Sequence, residues 1–143
     1  MDITFTVHLP VDTGSVPFIR GLCRQALVHL HVQEAVIDEI ALALTEACAN
    51  VVQHAGDHAE YEVAVAIDDR LCRISVVDTG DGFDPAEPAA RDEHSPLDEG
   101  RGLLLMQALV DRLDFRHEPD GRHRVTLEKR LSAHPPLRLV DPV

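Results

Sequence analysis

Residues 2–9 alternate, with Ile3, Phe5, Val7 and Leu9 set against Thr4, Thr6 and His8. That period of two predicts a strand with one buried face. Asp12, Thr13 and Ser15 then offer capping oxygens, and Pro17 suits a first helical turn. A helix is expected from there to about Leu30, with Phe18, Leu22, Ala26 and Leu30 stacked at i+4 steps. A second is expected from about Gln33 to His54, with an apolar stripe of Val36, Ile40, Ala43, Ala47 and Val51 and with Gly56 placed to end it. Residues 60–67 and 70–77 are alternating, β-branched runs joined across Asp68-Asp69, the pattern of a hairpin. Residues 84–99 contain Pro85, Pro88, Pro96 and many charges but no apolar period. A loop of that length in a compact domain is either functional or disordered. Gly100-Arg101-Gly102 opens a strongly apolar helix, and residues 113–116 and 125–130 read as two more strands around a Glu118-Pro119-Asp120-Gly121 turn.

Length adds one domain, residues 1–131, with a lid loop at about 84–100 and a tail at 132–143 that has no fold of its own. Aromatics are scarce, so Leu, Val, Ile and Ala must build the interior. A formal net charge of -12 with a single lysine, Lys129, excludes nucleic acid as the expected partner, because phosphate backbones require clustered cations. Nucleotides are not excluded, since Mg²⁺ and a few arginines offset phosphate charge locally. No apolar run reaches membrane-spanning length, and the opening residues lack a signal-peptide pattern, so a cytoplasmic chain without membrane contact is expected. Cys23, Cys48 and Cys72 form no C-x-x-C pair and read as reduced core residues. His54 and His58 have i+4 spacing, but no H-E-x-x-H or Cys/His set supports a zinc site. Arg20 and Arg24, one turn apart, are either a solvated face or a contact for an acidic partner.

Three stretches carry candidate chemistry. Glu46 and Asn50 lie at i and i+4 on the second helix, polar groups within its most apolar part. A buried carboxylate there is costly unless a site solvates it, while on a surface face it needs no explanation. Asp78-Thr79-Gly80-Asp81-Gly82 follows a strand, where two glycines let a ligand approach the backbone. The same pattern also describes a plain surface turn. Gly100-Arg101-Gly102-Leu103 exposes backbone N–H groups at an expected helix start, a natural anion site. In a nucleotide site, Asn50 offers an oxygen to Mg²⁺, Glu46 a proton acceptor, Asp78 an acceptor for an exocyclic amine, and the last stretch a phosphate cradle.

These stretches resemble the N, G1 and G2 boxes of the GHKL ATPase superfamily. Residues 44–55, Leu-Thr-Glu-Ala-Cys-Ala-Asn-Val-Val-Gln-His-Ala, and residues 100–106, Gly-Arg-Gly-Leu-Leu-Leu-Met, most resemble the small serine kinases that act as anti-sigma factors. The resemblance implies the Bergerat ATP-binding fold, an α/β two-layer sandwich of a mixed β-sheet with helices on one face. It implies ATP and Mg²⁺ as cofactors, with Glu46 as catalytic base, Asn50 as Mg²⁺ ligand and Asp78 binding the adenine amine. Gly80 and Gly82 would line the base pocket, and Gly100, Arg101, Gly102 and Leu103 would hold phosphates. The basic residue near the γ-phosphate would be Arg101, or else Arg91 or His94. A late-strand hydroxyl often supports the adenine-binding acid in this family. Here Gly121 is followed by Arg122-His123-Arg124, and Thr126 is the candidate. The implied activity is phosphorylation of an anti-sigma-factor antagonist on an acceptor serine, with sequestration of a sigma factor by a homodimer that Arg20 helps to contact. The alternative is a nucleotide-binding regulatory module without kinase activity.

Overall fold

Among the described residues, five strands and three helices follow one another. They are β1 (Ile3–Pro10), α1 (Ser15–His29), α2 (Glu34–His54), β2 (Glu60–Ile67), β3 (Leu71–Asp78), α3 (Pro96–Leu109), β4 (Arg112–His117) and β5 (His123–Arg130). The computed structural model describes residues 1–54, 60–78 and 96–131. Gly56, Gly80, Gly82, Arg91, His94, most of the expected lid and the expected tail lie outside the described residues. The last helix begins at Pro96 rather than at Gly100. Proline has no N–H to leave unsatisfied and is at home in a first turn, so the two glycines fall in the second turn.

The strands form one sheet in the order β1-β2-β3-β5-β4. The expected two-layer sandwich is present, but every pairing is antiparallel, so the sheet is not mixed. The connections explain this. A single crossover helix returns the chain for a parallel strand, whereas β1 and β2 are joined by two helices of opposite direction, α1 and α2. The other neighbours in chain order, β2–β3 and β4–β5, are hairpins. At the first, Asp68 Oδ1 accepts the N–H groups of Arg70 and Leu71, both at 2.8 Å, which holds that carboxyl below its ordinary range. At the second, Gly121 has φ 91°, and its N–H donates to Glu118 O at 3.0 Å. That left-handed conformation favours glycine.

Pleat alternation sends Tyr61, Val63, Val65 and Ile67 of β2 and Cys72, Ile74 and Val76 of β3 into the core with Val125 and Leu127 of β5. Arg73 and Ala66 face the other way and are exposed. The helices cover the buried face. Lys129 reaches up from it to Glu39 of α2 at 3.0 Å. Cys23, Cys48 and Cys72 are free and buried, as expected, and burial pushes the Cys48 thiol up to about 12. The α1 stripe is not the expected one. Val16, Ile19, Cys23 and Leu27 face the core, while Phe18 is 57% and Leu22 37% exposed. Both sets have helical spacing and both are apolar, so periodicity alone does not rank them.

One row of the sheet fixes the end that matters for function. Leu9, Tyr61, Asp78, His123 and His117 stand side by side on β1, β2, β3, β5 and β4. Tyr61 also ties the row to α1, since its hydroxyl lies 2.5 Å from Ser15 Oγ. The Ser15 hydroxyl donates to Asp12 O at 2.8 Å, so the tyrosine must be the donor of the shared bond. Burial pushes the Tyr61 hydroxyl up to about 12. Ser15→Ala leaves a buried donor without that acceptor, and urea unfolding should show a loss of about 1–3 kcal/mol. An unchanged midpoint would remove the bond from the account of how α1 is anchored.

Candidate functional site

Helix α2 rises through the core in the direction of β3, and that direction decides which residues meet. Its Ile40 and Ala43 line one small void with Cys72 and Ile74 of β3. From Ala43 to Asn50 the helix climbs about 10 Å, and from Ile74 to Asp78 the strand climbs about 13 Å. Asn50 and Asp78 therefore arrive at the same end of the sandwich. Helix α3 packs along α2, and its second turn lies over Glu46 and Asn50. A Cβ placed on Gly102 would stand 2.8 Å from Glu46 Oε1 and 3.9 Å from Asn50 Oδ1. Residues from three separate stretches of sequence thus converge.

The electrostatics of that contact are unequal. Glu46 is partly buried, and burial raises its carboxyl above the ordinary value, an effect the exposed Arg101 guanidinium partly offsets. Asn50 is 7% exposed, and its Nδ2 has no hydrogen-bond partner among the described residues. A buried polar group left so costs about 1–3 kcal/mol, which points to a ligand that completes it. Turning the amide over presents oxygen in place of nitrogen. An amide oxygen beside a carboxylate suits Mg²⁺, which keeps waters and borrows phosphate oxygens. Among the described residues no cluster of three or more His, Cys, Asp or Glu forms a metal cage. The donor set fits a metal ion that arrives with its phosphate ligand.

Asp78 is 3% exposed at the end of β3, on the helix-facing side, between Tyr61 and His123. Thr126 does not join it. It pairs with Ser75 and Asp114, on the opposite face of the sheet, because odd and even positions of a strand face opposite ways. The ladder position across from Asp78 belongs to His123, whose Nδ1 lies 3.9 Å from Asp78 Oδ1. The Gly-x-His spacing after the turn carried that signal, since the turn fixes the register of β5. The expected phosphate stretch is displaced as well. Free amides belong to the first turn of a helix, and Gly100 and Gly102 lie in the second. Leu103 is half-buried beside Gly102.

Arg20 stands apart from this end chemically, with Nη1 donating to Thr45 Oγ1 at 3.4 Å. Arg24, its neighbour one turn on, is committed to Asp38 at 2.9 Å. A cavity of about 650 Å³ opens at the far end of the sheet, lined by residues including Leu30, Val32, Asp68 and Leu131. None of the candidate site residues lines it.

The raised Glu46 carboxyl has a consequence for stability. Its ordinary value is 4.5. Below that both folded and unfolded chains hold the proton, and above it the fold keeps a charge it disfavours. Glu46→Gln should therefore melt above wild type at pH 7, with the advantage vanishing below the ordinary carboxyl range. Arg101→Ala should raise the Glu46 carboxyl further, read by carboxyl-carbon NMR titration. A fall instead would show that Arg101 does not act on Glu46.

Comparison with known proteins bears on the family and the fold. A family model described as the histidine kinase-like ATPase domain matches residues 9–129. The serine-protein kinase RsbW of Bacillus cereus (strain AH187) is 34% identical over a stretch covering 57% of this chain and 58% of the relative. RsbW of Bacillus thuringiensis (strain Al Hakam) is 31% identical with the same coverage. The chain thus spans less than two thirds of the length of these relatives. In fold it is similar to the RsbU and RsbW domains of Rv1364c from Mycobacterium tuberculosis, with a TM-score of 0.68, 23% identity, and coverage of 93% of this chain and 33% of the other. It is also similar to the SiaB-SiaC complex from Pseudomonas aeruginosa, with a TM-score of 0.61, 17% identity and 89% of both chains covered. Among the described residues no helix is long and apolar enough to cross a membrane. The matched segment contains the Glu46–Asn50 helix, the strand ending in Asp78 and the glycine-bearing α3, and the chain belongs to the histidine kinase-like ATPase domain family.

Proposed function

We propose that this protein is a cytoplasmic, ATP-dependent serine kinase of the anti-sigma-factor type. Its substrate is a small antagonist protein with an acceptor serine, and its sequestered partner is a sigma factor. The observation that carries the reading is the seating of Gly102 against Glu46 and Asn50. It brings a base, a metal-suited amide and a glycine-bearing helix to one place beside the buried Asp78. The names of the RsbW relatives support the same activity.

In this reading Asp78 accepts a hydrogen bond from the adenine amine, with Gly80 and Gly82 admitting the base. Asn50 would hold Mg²⁺, which would neutralise phosphate charge when bound. Arg101, with Gly100, Gly102 and Leu103, borders the phosphates. Glu46 takes the proton of the acceptor serine as its oxygen forms a bond to the γ-phosphorus and the bond from that phosphorus to the β–γ bridging oxygen breaks. ADP leaves, and the proton remains on Glu46. A carboxyl raised by burial is a stronger base than a solvated one, and so better matched to that task. Residues 1–131 form the kinase domain and 132–143 a tail. Phe18 and Leu22, exposed one turn apart on α1, suit a protein partner, either the antagonist, the sigma factor or a second copy, while Arg20, two residues from each, faces the other side of the helix.

Incubation with labelled ATP, Mg²⁺ and a candidate antagonist tests the reading. Wild type should transfer label to serine. Glu46→Ala should lower transfer by about 10²–10⁴-fold while still binding ATP, and Asp78→Asn should lose ATP binding. Binding without transfer by wild type would leave the nucleotide-binding regulatory module as the function. Absence of ATP binding by wild type would remove the nucleotide site.

A further inference from the structure

Directly across the ladder from Asp78 stands His123. Its side chain is 15% exposed, and its Nδ1 is buried with no hydrogen-bond partner among the described residues. That nitrogen points at Asp78 Oδ1 from 3.9 Å, about 1 Å beyond hydrogen-bond length. A small side-chain rotation closes the gap. On its other side the imidazole is covered by His117, stacked with ring centroids 4.5 Å apart and planes at 19°. The stack holds the ring plane and leaves Nδ1 its one direction.

We propose that His123 is the positioning residue of the nucleotide site, and that its protonation state sets how well Asp78 receives the base. The inference rests on the nucleotide reading above. Neutral His123 donates its Nδ1–H to one carboxylate oxygen and so orients the other toward the base amine. An ionised carboxylate has room for both donors. Protonated His123 is a different competitor. It brings a full positive charge to a buried carboxylate, and that attraction exceeds the hydrogen bond a neutral amine can make. The carboxylate then moves toward the imidazolium and away from the base.

Among the described residues, His123 is a titrating group that faces this acid. From β3 it meets Asp78, and from β4 it meets His117. On its own hairpin, Arg122 is held by Asp120 at 2.9 Å and Arg124 by Glu118 at 2.8 Å. Tyr61, on the far side of Asp78 in the same row, stays neutral across this range. From α2, Glu39 binds Lys129 at the far end of β5, and Glu46 faces Arg101 and Gly102. The sign follows from linkage. Nucleotide favours the neutral imidazole, so affinity falls on acidification as the imidazole gains its proton.

The test measures ATP affinity, with Mg²⁺ present, from about pH 5.5 to 8 in wild type, His123→Gln, His123→Leu and His117→Gln. The terminal phosphate of ATP titrates in the same window, so the quantity read is the ratio of wild-type to His123→Gln affinity at each pH. Glutamine keeps a donor without a titration. That ratio should fall about tenfold from the alkaline to the acid end, the factor for one hydrogen bond. His123→Leu should bind more weakly than His123→Gln throughout, and His117→Gln should keep the pH step. In wild type, NMR titration of the His123 ring should move to lower pH on saturation with ATP, a readout that survives if a variant fails to fold. A flat ratio in a protein that binds ATP, or an unmoved ring titration, overturns the role of His123 and leaves the nucleotide site standing. Absence of ATP binding by wild type at every pH overturns both.

Discussion

The arrangement depends on how closely α3 approaches α2 at Gly102. With hydrogen in place of a side chain, the second turn of α3 comes down onto the Glu46 carboxylate, within 2.8 Å of where a Cβ would stand. The same approach shields Asn50 and removes water from Glu46, which is the cause of the raised carboxyl. One turn further along α3, Met106 enters the core and is fully buried. Helix positions i and i+4 share a face, so one seam is apolar packing at Met106 and chemistry at Gly102. Alanine at 102 meets the far end of a movable side chain rather than backbone. The helices can stay packed in that case, and the carboxylate is what has to move.

The sheet imposes a second constraint, through parity. Asp78 faces the helices because Ile74 and Val76 do, and all three share one phase of β3. The phase of β5 is set by the hairpin at Gly121 and by pairing with β3, which together put His123, Val125 and Leu127 on the same side. No hydroxyl at position 126 can reach an acid on the other face without a one-residue slip, and such a slip would turn Val125 and Leu127 out of the core. The partner of Asp78 is thus chosen by the apolar pattern of the strand that carries it.

Most of the fold was legible in the sequence because strands and hairpins announce themselves through alternation and turn residues. The Asp68 turn, the Gly121 turn and the stripe of α2 required nothing beyond local pattern. Three features did not. The buried face of α1 was ambiguous because Phe18 and Leu22 compete with Ile19 and Cys23 at the same period, and only packing against Tyr61 and α2 separates them. The glycines suggest a start for α3 at Gly100, whereas Pro96 starts it earlier. The direction of the sheet is not written in local pattern, because two helices between β1 and β2 reverse the chain, a property of their number rather than of any residue. At the site, Glu46, Asn50 and Gly102 were recognisable as types, but their convergence is a tertiary fact. For His123 the spacing from the Gly121 turn is the one local signal, and its significance lies in its opposite number on β3.

What unites these residues is that the fold gains little from any of them. Glu46 is held above its ordinary carboxyl range, Asn50 carries an unpaired buried nitrogen, and His123 carries another next to a buried acid. All lie at one end of the sandwich. The far half of the helix layer is built differently, with Ile40 and Ala43 over Cys72 and Ile74, and with Lys129 paired to Glu39 at its margin. Among the described residues the unmet polar groups gather at one end and not in the packed centre, which a fold tolerates where a ligand completes them. A surface face on α2 and a plain turn after β3 would each have been stable without such groups being buried. Burial of Asn50 and Asp78 in the same corner, beneath a helix that glycine lets close, is therefore the physical ground for reading the corner as a site.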